Sequence, residues 1–199
     1  MSSTTESSDP YLYPGTTVLK NLRGLTDSRE FAAFEARSTH RRLAELLEEP
    51  LSGKFGTLHL KAIHGYIFQD VFEWAGQFRT VDISKGGHLF GRAAFLETAL
   101  EQTFGRLATE ECLAGVSPDR FAERAAYYLG ELNAAHPFRE GNGRTQREFT
   151  RELGLKAGHY LDWRRTTRAK MIEASRRSHV TGDAALFGEI IRNCIGPGL

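Results

Sequence analysis

Apolar residues begin to recur at helical spacing after Asp27. Phe31, Phe34, Leu43, Leu46 and Leu47 form one stripe, and Pro50 closes the segment. Asp27 with Glu30 makes a capping-box-like start, aspartate standing in for serine or threonine. A second helix is predicted from a cap at Thr57. Leu58, Ile63, Ile67 and Val71 supply its apolar face, and its end is expected near Trp74, Ala75 and Gly76. The pattern then changes. Phe78, Val81 and Ile83 favour extended backbone, Lys85-Gly86-Gly87 reads as a turn, and His88-Leu89-Phe90 follows. A short β-hairpin is predicted there.

Helical signals return over residues 92–113. Ser117-Pro118-Asp119 supplies an N-cap with proline at the first helical position. Phe121, Ala125, Tyr128, Leu129 and Leu132 then share a face until His136-Pro137, where proline cannot continue a helix. Three more helices are predicted. One spans 143–157 with Gly158 as its stop, a basic one spans 163–177 behind a cap at Asp162, and a last one spans 184–194 behind Thr181 or Asp183. The sum is an all-α fold, a helical bundle with one short β-hairpin. Residues 1–8 are small and polar and are expected to be disordered. Residues 9–15 are rich in turn formers but carry Tyr11, Leu12 and Tyr13, so they are expected to pack as an irregular arm. A single domain over 9–199 is predicted.

Composition narrows the function classes. The chain has 199 residues, enough for one domain. Its net charge of +1 lacks the basic excess of a generic nucleic-acid binder, so no direct nucleic-acid binding is expected and the basic helix reads as a solvated face. Cys112 and Cys194 lie far apart and form no CxxC pair, which argues against a disulfide scaffold or zinc ribbon. No apolar run reaches the roughly 18 residues of a membrane span, and no secretory signal opens the chain. A cytoplasmic location is expected. His59 and His64 are five apart and no HExxH occurs, so both read as packing or surface histidines. No Walker A pattern is present, which excludes a P-loop ATPase.

The chemistry concentrates in residues 136–147, His-Pro-Phe-Arg-Glu-Gly-Asn-Gly-Arg-Thr-Gln-Arg, between two predicted helices. Gly141-Asn142-Gly143 permits positive φ and close backbone approach where a helix begins, a natural anion site. Arg144 and Arg147, three apart, share a helix face, and two guanidinium forks suit a polyphosphate. Glu140 would repel phosphate alone but can ligate Mg²⁺ shared with phosphates. His136, with an ordinary pKa near 6.5, suits a general base. Each piece has a plain structural reading: His136 as a helix C-cap, Gly-Asn-Gly as a turn, Glu140 and the arginines as surface charges. Together they point to a phosphate site with a base.

This segment resembles the Fic signature, H-x-F-x-[D/E]-G-N-G-R-x-x-R, and matches every fixed position. The hairpin 79–86, Arg-Thr-Val-Asp-Ile-Ser-Lys-Gly, resembles the Fic flap, placed at about 78–91. Asp9-Pro10-Tyr11 and the overall length resemble the stand-alone Fic toxins of bacterial toxin–antitoxin pairs. The resemblance is weakest after about His159. It implies a Fic fold and transfer of AMP from ATP to a protein hydroxyl. It also implies roles: His136 as base, Phe138 as inward anchor of the loop, Glu140 on Mg²⁺. The amides of Gly141, Asn142 and Gly143 with the Asn142 side chain would cradle phosphates, and Arg144 and Arg147 would hold the distal ones, Arg147 the γ-phosphate.

Ile83, Ser84, Lys85 and Gly86 would pair with an extended target segment, Ile83 either clamping the target side chain or packing on the domain. Gly143 stands where a phosphate-donating relative has lysine, which favours AMP transfer. The inhibitory pattern [S/T]-x-x-x-E-[G/N] is most nearly approached at residues 2–6, with Ser7 in the wrong place. The inhibitory glutamate helix is therefore expected on a separate antitoxin, and the target, by resemblance, is an ATPase subunit of a type II topoisomerase. The alternatives are a Fic-fold transferase using another nucleotide or phosphate-containing group, and a non-catalytic interaction domain.

Overall fold

Helix α1, Ser28–Glu48, begins where Asp27 accepts hydrogen bonds from the amides of Arg29 and Glu30, and Pro50 prevents its extension. The computed structural model describes residues 9–196, so the expectation for residues 1–8 lies outside the described residues. Helix α2, Thr57–Phe68, buries Leu60, Ile63, Ile67 and Phe68. Its cap is Gly56, not Thr57, and Gly56 offers no side-chain cap. The helix also stops earlier than predicted. Residues 69–76 form turns, with Gly76 at φ 80°, because the apolar residues Val71 and Phe72 reach the core from turns rather than from a helical face.

The hairpin consists of β1, Ser84–Lys85, paired antiparallel with β2, His88–Leu89. Gly86 and Gly87 both take positive φ, 59° and 81°, as a two-residue turn of type I′ requires. The ladder is shorter than the predicted 78–90 because the outer residues bond to the rest of the domain.

The predicted helix over 92–113 is broken into three pieces: a 3-10 turn at Ala93–Phe95, helix α3 at Leu96–Thr109, and a left-handed run at Glu111, Cys112 and Leu113. Helix α4, Pro118–Ala135, is capped by Ser117 and carries Phe121, Ala125, Tyr128, Leu129 and Leu132 into the core. Helix α5, Asn142–Ala157, ends at Gly158. Asp162 caps only a 3-10 turn, Trp163–Arg165, since Thr166 is extended. Helix α6, Arg168–Thr181, starts from its own cap, Thr167, and helix α7, Ala185–Cys194, follows with Asp183 accepting from the Ala185 amide. Arg164, Arg176 and Arg177 pair with Asp162, Glu173 and Asp183, which neutralises half of the six basic residues of this stretch.

Most of the buried apolar residues form one cluster, from Leu19 to Cys194. α4 packs against α3, α5, α6 and α7, while α2 bridges α1 and α5. This sets the end of α4, the start of α5 and the feet of the hairpin side by side. The arm closes over them: Asp9 pairs with Arg139 at 2.7 Å, and the Tyr11 hydroxyl accepts from the Thr80 amide at 3.1 Å.

Candidate active site

His136 sits at the C-cap of α4 in a left-handed conformation, φ 46° and ψ 59°. Few residues other than glycine adopt it, and such positions concentrate at functional sites. The following proline ends the helix and turns the chain. His136 Nδ1 lies 3.3 Å from the Asn133 carbonyl. A carbonyl only accepts, so Nδ1 carries the proton and Nε2 keeps its lone pair. Phe90 stacks on the imidazole, centroids 3.9 Å apart, and His179 stacks on the other face of Phe90 at 4.1 Å. Burial under this stack lowers the His136 pKa to about 4, so the ring is neutral at ordinary pH.

The loop from 137 to 141 is held from inside. Asn142 is 3% exposed, and its amide accepts from the Phe138 N–H at 2.9 Å and donates to the Phe138 carbonyl at 2.7 Å. The side chain expected to cradle phosphate thus spends these two hydrogen bonds on closing the loop. Phe138 is 1% exposed and stacks on His64 at 3.8 Å. His64 accepts the Gly76 amide on Nδ1 at 2.8 Å and, through Nε2, donates to the Glu140 carbonyl at 3.1 Å. Full burial lowers its pKa to about 3. Its position on the apolar face of α2 signalled packing, but nothing in the sequence connected it to Glu140.

Gly141 is where glycine is obligatory. Its φ is 83°, and a Cβ there would stand 2.2 Å from the Phe68 ring. Gly143, in contrast, has space, and the positive φ anticipated for both glycines applies to Gly141 alone. No acceptor among the described residues engages the amides of Asn142 and Gly143 at the head of α5.

The two arginines differ. Arg144 donates to Glu35 and to Thr39 at 3.1 Å, both on α1, and lies over Phe68. Arg147 is half-buried, and its guanidinium has no acidic or hydrogen-bond partner among the described residues. Burial, then the charge of Arg144, lower its pKa. A desolvated, unpartnered cation beside open helix amides is a site for an anion. Glu140 projects its half-exposed carboxylate at the same mouth, accepting from the Gly141 amide at 2.8 Å and standing 3.5 Å from Arg144. In the hairpin, Ser84, Lys85 and Gly86 are exposed, and Ile83 is half-buried with its carbonyl accepting from Phe90.

Residues 54–153 match the Fic/DOC family. The chain is similar to protein adenylyltransferase VbhT of Bartonella schoenbuchensis, 44% identical over 94% of this chain but spanning only 39% of that relative. It is 39% identical to the protein of Sinorhizobium fredii named "Probable protein adenylyltransferase y4lH", over 94% of this chain and 96% of that one. Among solved structures, BepC of Bartonella tribocorum with bound AMPPNP superposes with a TM-score of 0.90 at 29% identity, covering 95% of this chain and 97% of that one.

Proposed function

This chain belongs to the Fic/DOC family, and from that premise we propose that it transfers AMP from ATP to a hydroxyl side chain of a target protein. The observation that carries the reading is the open head of α5. The amides of Asn142 and Gly143, without an acceptor among the described residues, adjoin the Arg147 guanidinium, which likewise has no partner among them, one loop away from a neutral His136. Relatives named adenylyltransferases and a similar structure with bound AMPPNP support it.

In this mechanism the Nε2 lone pair of His136 takes the proton of the target hydroxyl as its oxygen attacks the α-phosphorus. A new phosphoester bond forms, the bond from the α-phosphorus to the bridging oxygen breaks, and pyrophosphate leaves with the electron pair. The helix-terminal amides and Arg147 hold the distal phosphates, with Arg144 beside them. Phe138 and the Asn142 side chain keep the loop in shape. Glu140 would hold Mg²⁺ together with substrate phosphates, and the ion would neutralise their charge. Residues 83–86 of the hairpin would align an extended target segment by strand addition.

An antitoxin that supplies a glutamate to Arg147 fits this arrangement, because Glu35 engages Arg144 and leaves Arg147 without an acid among the described residues. An ATPase subunit of a type II topoisomerase is the proposed target, by resemblance to the toxin class, with a cytoplasmic site of action. No helix among the described residues is long and apolar enough to cross a membrane.

The test is label transfer to proteins of a bacterial lysate, with ATP labelled on the α- or the γ-phosphate, beside His136→Ala. Label moving from the α position only, and lost in the variant, supports AMP transfer. Movement of γ label, or equal transfer by the variant, overturns it.

A further inference from the structure

The hairpin stands on two feet, one on either side of His136. The Arg79 amide donates to the Pro137 carbonyl at 2.9 Å, and the Gly91 amide donates to the Ala134 carbonyl at 2.9 Å. Between the feet lies the Arg79 side chain, fully buried. Its Nε donates to the His136 carbonyl at 2.9 Å, one terminal nitrogen to Val81 at 2.7 Å, and the other to Gly91 and to Ala135, the last at 3.1 Å. Four of its five N–H groups are thus spent on main-chain carbonyls of three separate segments.

Among the described residues the one carboxylate near this charge is that of Asp82, at the long distance of 3.9 Å. What receives it is the C-terminal end of α4, whose last carbonyls lack helical partners and carry the negative end of the helix dipole. The planar fork reaches several acceptors at once, which a lysine ammonium on a flexible stem cannot reproduce. Gly91 lets the second foot close in, since a Cβ there would meet Ala135 backbone atoms at 3.3 Å.

We propose that Arg79 is the positioning residue that fixes the target-binding hairpin relative to His136, acting on target alignment and not on nucleotide binding. This rests on the adenylyltransferase reading for its catalytic consequence, while the anchoring itself is independent of it. None of the Arg79 contacts touches Gly141, Asn142, Gly143, Arg144 or Arg147. Its loss should therefore separate the two functions. A displacement of the order of 1 Å between aligned target and base is enough to cost on the order of a hundredfold in rate.

The test compares wild type and Arg79→Lys in three measurements: amide hydrogen exchange, AMPPNP affinity, and α-label transfer to the principal labelled band of a bacterial lysate. The expected result is faster exchange confined to residues 79–91 and 134–138, unchanged AMPPNP affinity, and transfer reduced on the order of a hundredfold. Unchanged exchange in the hairpin, or transfer and AMPPNP affinity falling together, overturns the proposal. If Arg79→Lys lowers the melting temperature of the whole domain, Gly91→Ala displaces the same foot with the guanidinium kept. The same split supports anchoring there, and wild-type transfer overturns it. If wild type itself moves no α label, the adenylyltransferase reading fails, and the exchange pattern alone decides whether Arg79 anchors the hairpin.

Discussion

His64 lies flat against Phe138, ring centroids 3.8 Å apart and planes 11° from parallel. The same imidazole bridges the Gly76 amide and the Glu140 carbonyl. One side chain of α2 thereby fixes both Phe138, at the centre of the loop, and the backbone of Glu140, the residue proposed to hold Mg²⁺. A protonated His64 would aim a second N–H at the Gly76 donor, so the neutral form is part of the native state.

That arrangement gives stability a pH dependence. His64 and His136 have folded pKa values lowered by burial to about 3 and about 4, below the ordinary 6.5. Over pH 6.5 down to those values the unfolded chain binds more protons, so stability falls as pH falls, by about 1.4 kcal/mol per pH unit for each histidine. Denaturation midpoints between pH 7 and pH 4 should show this decline. His64→Gln should lower the midpoint at pH 7 but flatten the slope, and an unaltered slope would refute the assignment.

Arg147→Ala should weaken AMPPNP binding without destabilising the free protein. The guanidinium is half-buried with no partner among the described residues, so its removal relieves a desolvation cost. A charged hydrogen bond to phosphate contributes about 1.5–3 kcal/mol, which corresponds to a loss of affinity on the order of tenfold to a hundredfold. Calorimetric titration beside a melting curve checks both. A lower melting temperature with unchanged affinity would contradict the assignment.

Gly141→Ala should disrupt the loop. Holding alanine at φ 83° costs about 1–3 kcal/mol from the backbone alone. Contact with the Phe68 ring adds to that. A marked drop in melting temperature and loss of AMPPNP binding are expected. Gly143→Ala, which meets only the end of the Arg147 side chain at 3.4 Å, should melt within about 1 kcal/mol of wild type.

His136→Asn isolates the base. Asparagine tolerates the left-handed backbone that position 136 requires, so fold and AMPPNP affinity should survive while α-label transfer disappears. Residual transfer near the wild-type rate would mean that another group takes the proton.

The candidate site was legible as a cluster where its residues are contiguous. His136, Phe138, Glu140, Gly141 and Arg147 fall within twelve positions, and one helix end and one helix start place them together. Their supports were not legible. Arg79, Glu35, His64 and Phe90 come from three remote segments, α1, α2 and the hairpin, and a charged residue in a predicted hairpin reads as solvent-facing. Arg79 is buried because α4 ends against the hairpin, a fact of tertiary packing. Asn142 shows the converse: its sequence position suggested a ligand contact, and its side chain proved to be internal. Helix boundaries failed where two capping residues compete, as Asp162 and Thr167 do, since an extended Thr166 between them separates a single turn from the true helix.

The paired hydrogen bonds between Asn142 and Phe138 have a thermodynamic corollary. They close the loop before any nucleotide arrives, so its conformational freedom is surrendered during folding and not during binding. Nucleotide association should then show a modest entropy penalty and little change in loop exchange rates. A polyphosphate would then meet a loop already closed by these two bonds, while the hairpin tip, Ser84 to Leu89, stays exposed to solvent.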